Sequence, residues 1–435
     1  MAQEFTQEAS LPHPGPLTDA QRKLIKATVP ILAQRGGEIT RRFYESMLEA
    51  EPDLNNIFSH SKQMTGHQAD ALANSILAYA DNIDDLTPIL PVVERICNKH
   101  ASLHILPEHY TIVGTYLLRT ITDVLGADVF KGELYDAWFA GYWQLAHILI
   151  DREAALYKQA GWVGWKEFVV AKRVQESEDI TSLYFEPKES LLLSAYRPGQ
   201  YISVRRFVPK LDRYQSRQYS LSDTPTPDHF RISVKREAGI RATHPGSDTP
   251  DTTHAAHPGW ISNLLHDTLH EGDTVELAHP FGDFFLDASP APIVLISAGV
   301  GLTPLLAILN TLVKPTEAPP PKRQVSWIQV VHGPQNHAFK AHVARLHAVN
   351  PNQLATAVFY SHPEGAAAGK DYDFAGRMDL AKVEPKMLHL DDPATDYYTC
   401  GPESFMAGMV KELKARGVDS KRIHAEVFGA GSLPL

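Results

Sequence analysis

The stretch ICNKHASLHILPEHY, residues 96 to 110, gathers Cys97, His100, His104 and His109 into fifteen positions. On a helix, Cys97, His100 and His104 stand at i, i+3 and i+7 on one face, and a thiolate with two imidazoles could hold zinc. The same letters also read as a plain helix with satisfied or exposed histidines. Farther on, SAGVGLTPLL (297–306) reads as a strand, a glycine turn and a helix. Its Gly299, Val300, Gly301, Leu302, Thr303 and Pro304 would allow close backbone approach and aim helix N–H groups at a pyrophosphate. The motif lacks the third glycine of the usual fingerprint, so a tight βα turn explains it equally well. RPGQYISV (197–204) and RQYSLSD (217–223) each place an aromatic, a cation or a hydroxyl on a predicted strand.

Three kinds of element must position these groups. Residues 17 to about 158 carry helical periodicity almost throughout. Thr18-Asp19 is an N-cap signal, and apolar stripes pass through Ile39, Phe43 and Met47, through Leu72, Ile76 and Ala80, and through Leu90, Val93, Ile96 and Cys97. An all-α domain of about seven helices follows. After Gly161-Trp162-Val163-Gly164 come short β-branched runs between Pro, Gly and Asp turns, the pattern of a β-barrel or sandwich. Within it, residues 240–258 are polar and Pro/Gly-rich and read as an inserted surface loop. From Ala291 buried strands alternate with helices, which predicts a parallel sheet covered by helices.

Composition narrows the function classes. A chain of 435 residues should hold two to four domains. A formal charge of −10 argues against a general nucleic-acid or anionic-membrane binder. No apolar run reaches the ~18 residues of a membrane span. Cys97 and Cys400, far apart in sequence, suggest a reducing compartment rather than a disulfide framework. Residues 1–16 read as a disordered leader, and the protein is expected in the cytoplasm, without stable membrane association.

Together with TCGPESF (399–405), the segments at 197, 217 and 297 resemble the ferredoxin–NADP reductase family in order and approximate spacing. The resemblance implies FAD and NADH or NADPH as coenzymes. Arg217 would then meet the FAD phosphates, Tyr219 would pack on the isoalloxazine, and Ser220 would bond near its N5, with Gln218 between them. Tyr201 would line the adenine side, Ser262 of Gly259-Trp260-Ile261-Ser262 the pyrophosphate loop, and Val427, Phe428, Gly429 and Ala430 would approach the flavin. Residues 299–304 and Cys400, Gly401 and Pro402 would flank the nicotinamide nucleotide.

The helical end, read through RRFYESMLEAEPDLNNIF, TGHQADALANSI and NKHASL, resembles a globin. The whole, from about residue 17 to the C-terminus, resembles the flavohaemoglobins. That family implies haem b with His100 as the proximal iron ligand, Phe58 and Leu72 in the pocket, and Tyr44 and Gln68 on the distal face. It also implies Glu153 and Tyr110 as partners of the histidine, and Lys99 and Glu426 as tuners of the haem and flavin potentials. Domains are expected at 17–160 (globin), 163–288 (FAD-binding antiparallel β-barrel) and 289–435 (NAD(P)-binding α/β). The implied reaction is nitric oxide dioxygenation, NO and O2 to nitrate with electrons from NAD(P)H through FAD, by a monomer acting on small molecules. Two other readings stay open: a haem-based O2 carrier or gas sensor with an auxiliary reductase, and a flavin-dependent peroxide, quinone or ferric reductase. The sequence departs from the family at VFGAG, where many members carry Cys before and Pro after the FG, at the 240–259 insertion and in the leader.

Overall fold

The computed structural model describes residues 11–193, 195–237, 239, 259–314, 323–426 and 428. The expectations placed on residues 1–10, on 240–258 and on Val427, Gly429 and Ala430 lie outside these. Contact patterns divide the chain into two compact units, with the main boundary between Val163 and Gly164. No helix among the described residues is long and apolar enough to cross a membrane.

The first unit is helical. Its α-helices are α1 (Asp19–Ala27), α2 (Val29–Ala50), α3 (His60–Met64), α4 (His67–Asp81), α5 (Leu90–Ala101), α6 (Pro107–Leu125) and α7 (Glu133–Gln159). Thr18 caps α1: its hydroxyl accepts the Gln21 N–H, and the Gln21 side chain accepts the Thr18 N–H in return. The apolar stripes become the core, with Ile25, Ile39, Phe43, Met47, Tyr79, Cys97 and Ile121 sealed from solvent. Helix α5 ends at Ala101, and His104 follows it with φ +60°, off the face that Cys97 and His100 share, so the plain reading of His104 as a helix-end residue holds over the zinc one. One expectation needs correction. Part of the leader expected to be disordered, Pro12 and His13, is placed on α7: His13 stacks on His147 with ring centroids 4.1 Å apart, and the His147 Nε2–H donates to Pro12 O.

The second unit begins with a six-stranded antiparallel sheet of β1 (Lys166–Gln175), β2 (Ile180–Pro187), β3 (Tyr201–Val208), β4 (Arg213–Ser220), β5 (Phe230–Lys235) and β6 (Thr274–Leu277), in the order β4-β3-β6-β1-β2-β5. A bridge between Leu221 and Ile232 ties the two edges together and curls the sheet toward a barrel. Phe168, Val170, Phe230, Ile232 and Val234 alternate into its interior. Helix α8 (Trp260–Asp267) begins directly after Gly259.

The remainder is a parallel sheet covered on both faces. Its strands are β7 (Ile293–Ala298), β8 (Val325–Val331), β9 (Leu354–Tyr360), β10 (Phe374–Ala375), β11 (Asp396–Cys400) and β12 (Ile423–Glu426), in the order β10-β9-β8-β7-β11-β12. Helices α9 (Leu302–Val313) and α10 (Lys340–Val349) pack over Leu295 and Trp327, and α11 (Pro385–Leu388) and α12 (Glu403–Ala415) over Ile296 and Ile328. Every residue of β7 is buried, as a central parallel strand requires. At the end of the sheet where β7 and β11 begin, the buried Arg323 donates to Ala291 O and to the fully buried Asp396 at 2.8 Å, and pairs with Asp287. Arg422 completes the cluster, 3.0 Å from Asp396.

One buried imidazole, His337, and two half-buried ones, His279 and His342, should give this unit a pH dependence. Burial pushes His279, His337 and His342 down, each to about 4, with Lys340 adding to the effect at His337 and Lys314 and Arg231 at His342. An unfolded histidine takes up its proton near pH ~6.5. Between pH ~6.5 and ~4 the unfolded state therefore binds more protons, and stability falls as the pH drops through that window. Thermal unfolding of the full chain should move to lower temperature by several degrees from pH 7 to pH 5. His337→Gln should flatten that dependence, and a variant with the wild-type slope would show that His337 carries none of it.

Candidate functional site

His100 stands in the last turn of α5, and α7 crosses close beside it. Helix α7 is joined to α5 and to the turn after it by successive contacts: Cys97 Sγ to Leu149 O at 3.8 Å, a bidentate Arg152–Glu94 pair at 2.6 Å on both arms, and Tyr157 Oη to Ile105 O at 2.7 Å. Asn98 also donates to Glu94, whose carboxyl is held below its ordinary range chiefly by Arg152. These contacts fix the distance between the imidazole and α7. His100 Nδ1 lies 2.8 Å from Oε1 of Glu153, a carboxylate with 2 % exposure. The Tyr110 hydroxyl, from α6, donates to the same oxygen at 2.6 Å and lies 3.0 Å from His100 Nδ1. Tyr142 of α7 donates to Tyr110 O and anchors the α6 backbone. Burial, and then the charge of Glu153, pushes the Tyr110 phenol well up, so it stays a proton donor across the ordinary pH range. The other three residues of the opening stretch have structural work. Cys97 is a buried packing residue, His104 sits edge-on to Tyr157, and His109 Nδ1 accepts the Leu106 N–H at the start of α6.

With Nδ1 engaged, His100 Nε2 makes no hydrogen bond to the described residues, which is the arrangement of an imidazole able to ligate a metal. In the same unit, Tyr44 on α2 is buried, hydrogen-bonded to Gln68 of α4 and edge-on to Phe58 at 5.5 Å. Burial raises the Tyr44 phenol too, and Gln63 donates to Gln68 Oε1 at 2.8 Å. Leu72 lies one turn after Gln68 on the same face of α4. Lys99 is half-buried beside His100.

In the second unit, Arg217, Gln218, Tyr219 and Ser220 occupy the last half of β4. Burial lowers the Arg217 guanidinium and raises the Tyr219 phenol, and Gln218 Nε2 donates to Ser203 at 2.9 Å. Tyr201 opens β3, paired through its backbone with Phe281. At the start of α8, Ser262 donates to Gly259 O, and a Cβ on Gly259 would sit 2.5 Å from the Ser262 hydroxyl. The indole N–H of Trp260 and Oδ1 of Asn263 are buried there without partners among the described residues. The helix thus begins at a crowded glycine beside one spare buried donor, the Trp260 indole N–H, which fits the pyrophosphate-bearing coenzyme implied by RQYS.

The Gly299–Gly301 turn ends β7 and leads into α9. A Cβ on Gly301 would lie 2.2 Å from Cys400 O and 2.6 Å from Gly401 N, so this turn and the Cys400-Gly401-Pro402 turn touch backbone to backbone. The buried Ser297 and Thr399 hydroxyls, without partners among the described residues, stand next to the last residue of the two neighbouring strands, at the carboxyl edge where parallel sheets bind ligands. Val300, Leu302, Thr303 and Pro304 complete the turn and the first residues of α9. Glu426 pairs in register with Cys400, and Phe428 is exposed. Sequence reasoning missed the Glu94–Arg152 clamp and Tyr142, whose partners are distant in sequence and leave no local signal.

Comparison with known proteins agrees with this division of labour. The globin family model matches residues 41–149, and the oxidoreductase NAD-binding domain model matches residues 295–411. Fold and site thus define a globin joined to an NAD-binding oxidoreductase module. The flavohemoprotein of Bordetella parapertussis is 44% identical over 426 residues, covering 96% of this chain and 100% of the relative. That of Chromobacterium violaceum is 44% identical over 421 residues, with coverage of 95% and 98%. Among solved structures, a flavohemoglobin from Malassezia yamatoensis with bound FAD and heme superimposes with a TM-score of 0.79 at 29% identity, covering 95% of this chain and all of that one. The FAD/NAD-binding domain of a nitric oxide dioxygenase from Vibrio cholerae matches 61% of this chain and 98% of its own at 37% identity, with a TM-score of 0.50. The chain belongs to the flavohemoprotein family.

Proposed function

We propose that this protein is an NAD(P)H-dependent nitric oxide dioxygenase that converts NO and O2 to nitrate. The observation that carries the reading is the buried Glu153 oxygen that accepts from Tyr110 and binds His100 Nδ1. Haem b would be held through His100 Nε2 within residues 17–160, FAD by Tyr201, Arg217, Gln218, Tyr219, Ser220 and Ser262 within 163–288, and NAD(P)H by residues 299–304 and 400–402 within 289–435. When bound, these groups supply the iron at which NO meets O2, the exchange of a hydride for single electrons, and the hydride itself.

The chain's own residues set the conditions. Glu153 holds the Nδ1 proton of His100 and draws the ring toward imidazolate, which makes it a stronger electron donor than a carrier globin needs. Tyr110 fixes the carboxylate, and the Arg152–Glu94 clamp keeps α7 in place. Tyr44, kept protonated by burial and tied to Gln68, offers a hydrogen bond on the distal face.

The test is NO consumption by the purified, haem- and FAD-loaded chain in air with NADH or NADPH, with nitrate measured as product. Glu153→Gln should lower the NO turnover rate by about 10-fold or more. It should also raise the iron midpoint potential, because the anion that favours the ferric state is gone. Wild-type turnover at an unchanged potential in that variant would remove the role given to Glu153, and absence of nitrate in the wild type would sink the dioxygenase reading.

A further inference from the structure

The RQYSLSD segment ends in a residue that the coenzyme reading leaves unused. Asp223 follows β4 and lies on the seam between the barrel and the parallel-sheet domain, both parts of the second unit. Its carboxylate gathers donors from both sides. From the barrel come Arg231 Nη1 at 3.2 Å and the Thr224 N–H at 2.9 Å. From the end of α9 come Asn310 Nδ2 at 2.8 Å and Lys314 Nζ at 2.5 Å.

Further contacts reinforce the same seam. Tyr196 donates to Asp223 O at 2.6 Å. Thr311 on α9 donates to the Thr224 hydroxyl at 3.2 Å. The buried Arg231 has its guanidinium 5.2 Å from the ring centroid of Phe339, the residue that opens α10. His342 of α10 bonds Asn310 Oδ1 at 2.7 Å. Asp223 is therefore the point where the flavin strand, β5, α9 and α10 are tied.

Helix α9 runs roughly 18 Å, at ~1.5 Å per residue, from the Gly301 turn to this carboxylate. Strand β4 places Arg217, Tyr219 and Ser220 three to six residues before Asp223. Strand β5, which supplies Arg231, also packs against the Gly299–Gly301 turn. The carboxylate thus joins the far end of the dinucleotide helix to the near end of the flavin strand, and a packed helix transmits that constraint to its other end.

We propose that Asp223 is a positioning residue for hydride transfer, holding α9 against the flavin strand so that nicotinamide and flavin meet at reacting distance; the inference rests on the coenzyme reading above. The step it serves moves one hydride, a proton with two electrons, from C4 of NAD(P)H to N5 of FAD, leaving NAD(P)+ and anionic reduced flavin. Asp223 spends its carboxylate on Arg231, Thr224, Asn310 and Lys314, and it acts through α9.

The experiment uses the full chain loaded with haem and FAD, mixed anaerobically with NADH or NADPH while flavin bleaching is followed. Asp223→Asn should slow bleaching at saturating dinucleotide by about 10- to 100-fold, while the half-saturating concentration changes by less than about 3-fold. Asp223→Glu, which keeps the charge, should restore most of the rate. Amide hydrogen exchange across residues 308–314 should quicken in Asp223→Asn and not in Asp223→Glu. Wild-type bleaching with wild-type exchange in Asp223→Asn, or a change confined to the half-saturating concentration, would overturn the proposal. Should Asp223→Asn fail to fold, Lys314→Met carries the same test, and wild-type rate and exchange there would overturn it equally. A wild-type chain that neither dinucleotide bleaches would sink the coenzyme reading, and the exchange result would still report separately on the tie itself.

Discussion

A His100→Ala chain is expected to bind no haem and to show no Soret band, with NO consumption down by more than about 100-fold. Its dye- or ferricyanide-linked NAD(P)H oxidation should stay within about 2-fold of wild type, because independent sites do not couple. The first effect follows from the imidazole's two nitrogens. Glu153 and Tyr110 engage Nδ1 and leave Nε2 as the ligating atom, and among the described residues no cluster of metal-binding side chains offers a substitute. The second follows from the composition of the reductase site, whose named residues belong to the strands and turns of the other unit. The buried Glu153 would lose one of two partners, so a stability cost of about 1–3 kcal/mol should accompany the change. Full NO turnover in the variant would remove His100 from the site. Retention of the main physiological activity without NO turnover would favour the flavin-reductase reading, and slow NAD(P)H use by the wild type in the presence of NO and O2 would favour a carrier or sensor.

Gly301→Ala is expected to be the most damaging small substitution in the dinucleotide domain. The backbone here is ordinary, with φ −60°, so conformational freedom is not the reason for glycine. The reason is space: the added methyl would lie 2.2 Å from Cys400 O and 2.4 Å from Cys400 C, atoms of a central strand that cannot swing aside. Overpacking of this kind costs about 1–3 kcal/mol, and here it also pushes apart the two turns assigned to the nicotinamide. Flavin reduction by NAD(P)H should fall by about 100-fold, in line with displacement of a positioned reactant. Gly299 provides the contrast. It has φ +55°, and a methyl added there would meet nothing within 4 Å, so Gly299→Ala faces only backbone strain of about 1 kcal/mol. A thermal-unfolding and flavin-bleaching comparison of the two variants checks the argument, and equal losses would contradict it.

Much of this was legible in the letters because burial imposes period. The stripes Ile39-Phe43-Met47 and Val93-Cys97 are the inward faces of α2 and α5, and the apolar run Ile293-Val294-Leu295-Ile296 is the centre of the parallel sheet. The end of α5 was not legible. No glycine marks it, and His104 takes the left-handed conformation that glycine or asparagine would signal, so the apparent i+7 partner of Cys97 belongs to a turn. The clamp behind His100 was hidden for another reason. Glu94 and Arg152 are 58 residues apart, and only the packing of α5 on α7 brings them together. Asp223 is visible as the last letter of RQYSLSD, but its donors at 310 and 314 stand 87 and 91 residues away.

The cluster around Arg323 bears on how the chain is made. Strand β7 lies between β8 and β11, and Arg323 finds its fully buried carboxylate at Asp396, 73 residues later in the chain. A ribosome adding ~5–20 residues per second needs roughly 4–15 s to cover that stretch. During that interval β7 has one neighbour, an unpaired apolar edge, and an arginine whose buried position cannot close around an unmatched charge. The parallel domain is therefore sealed by its last strands to leave the ribosome.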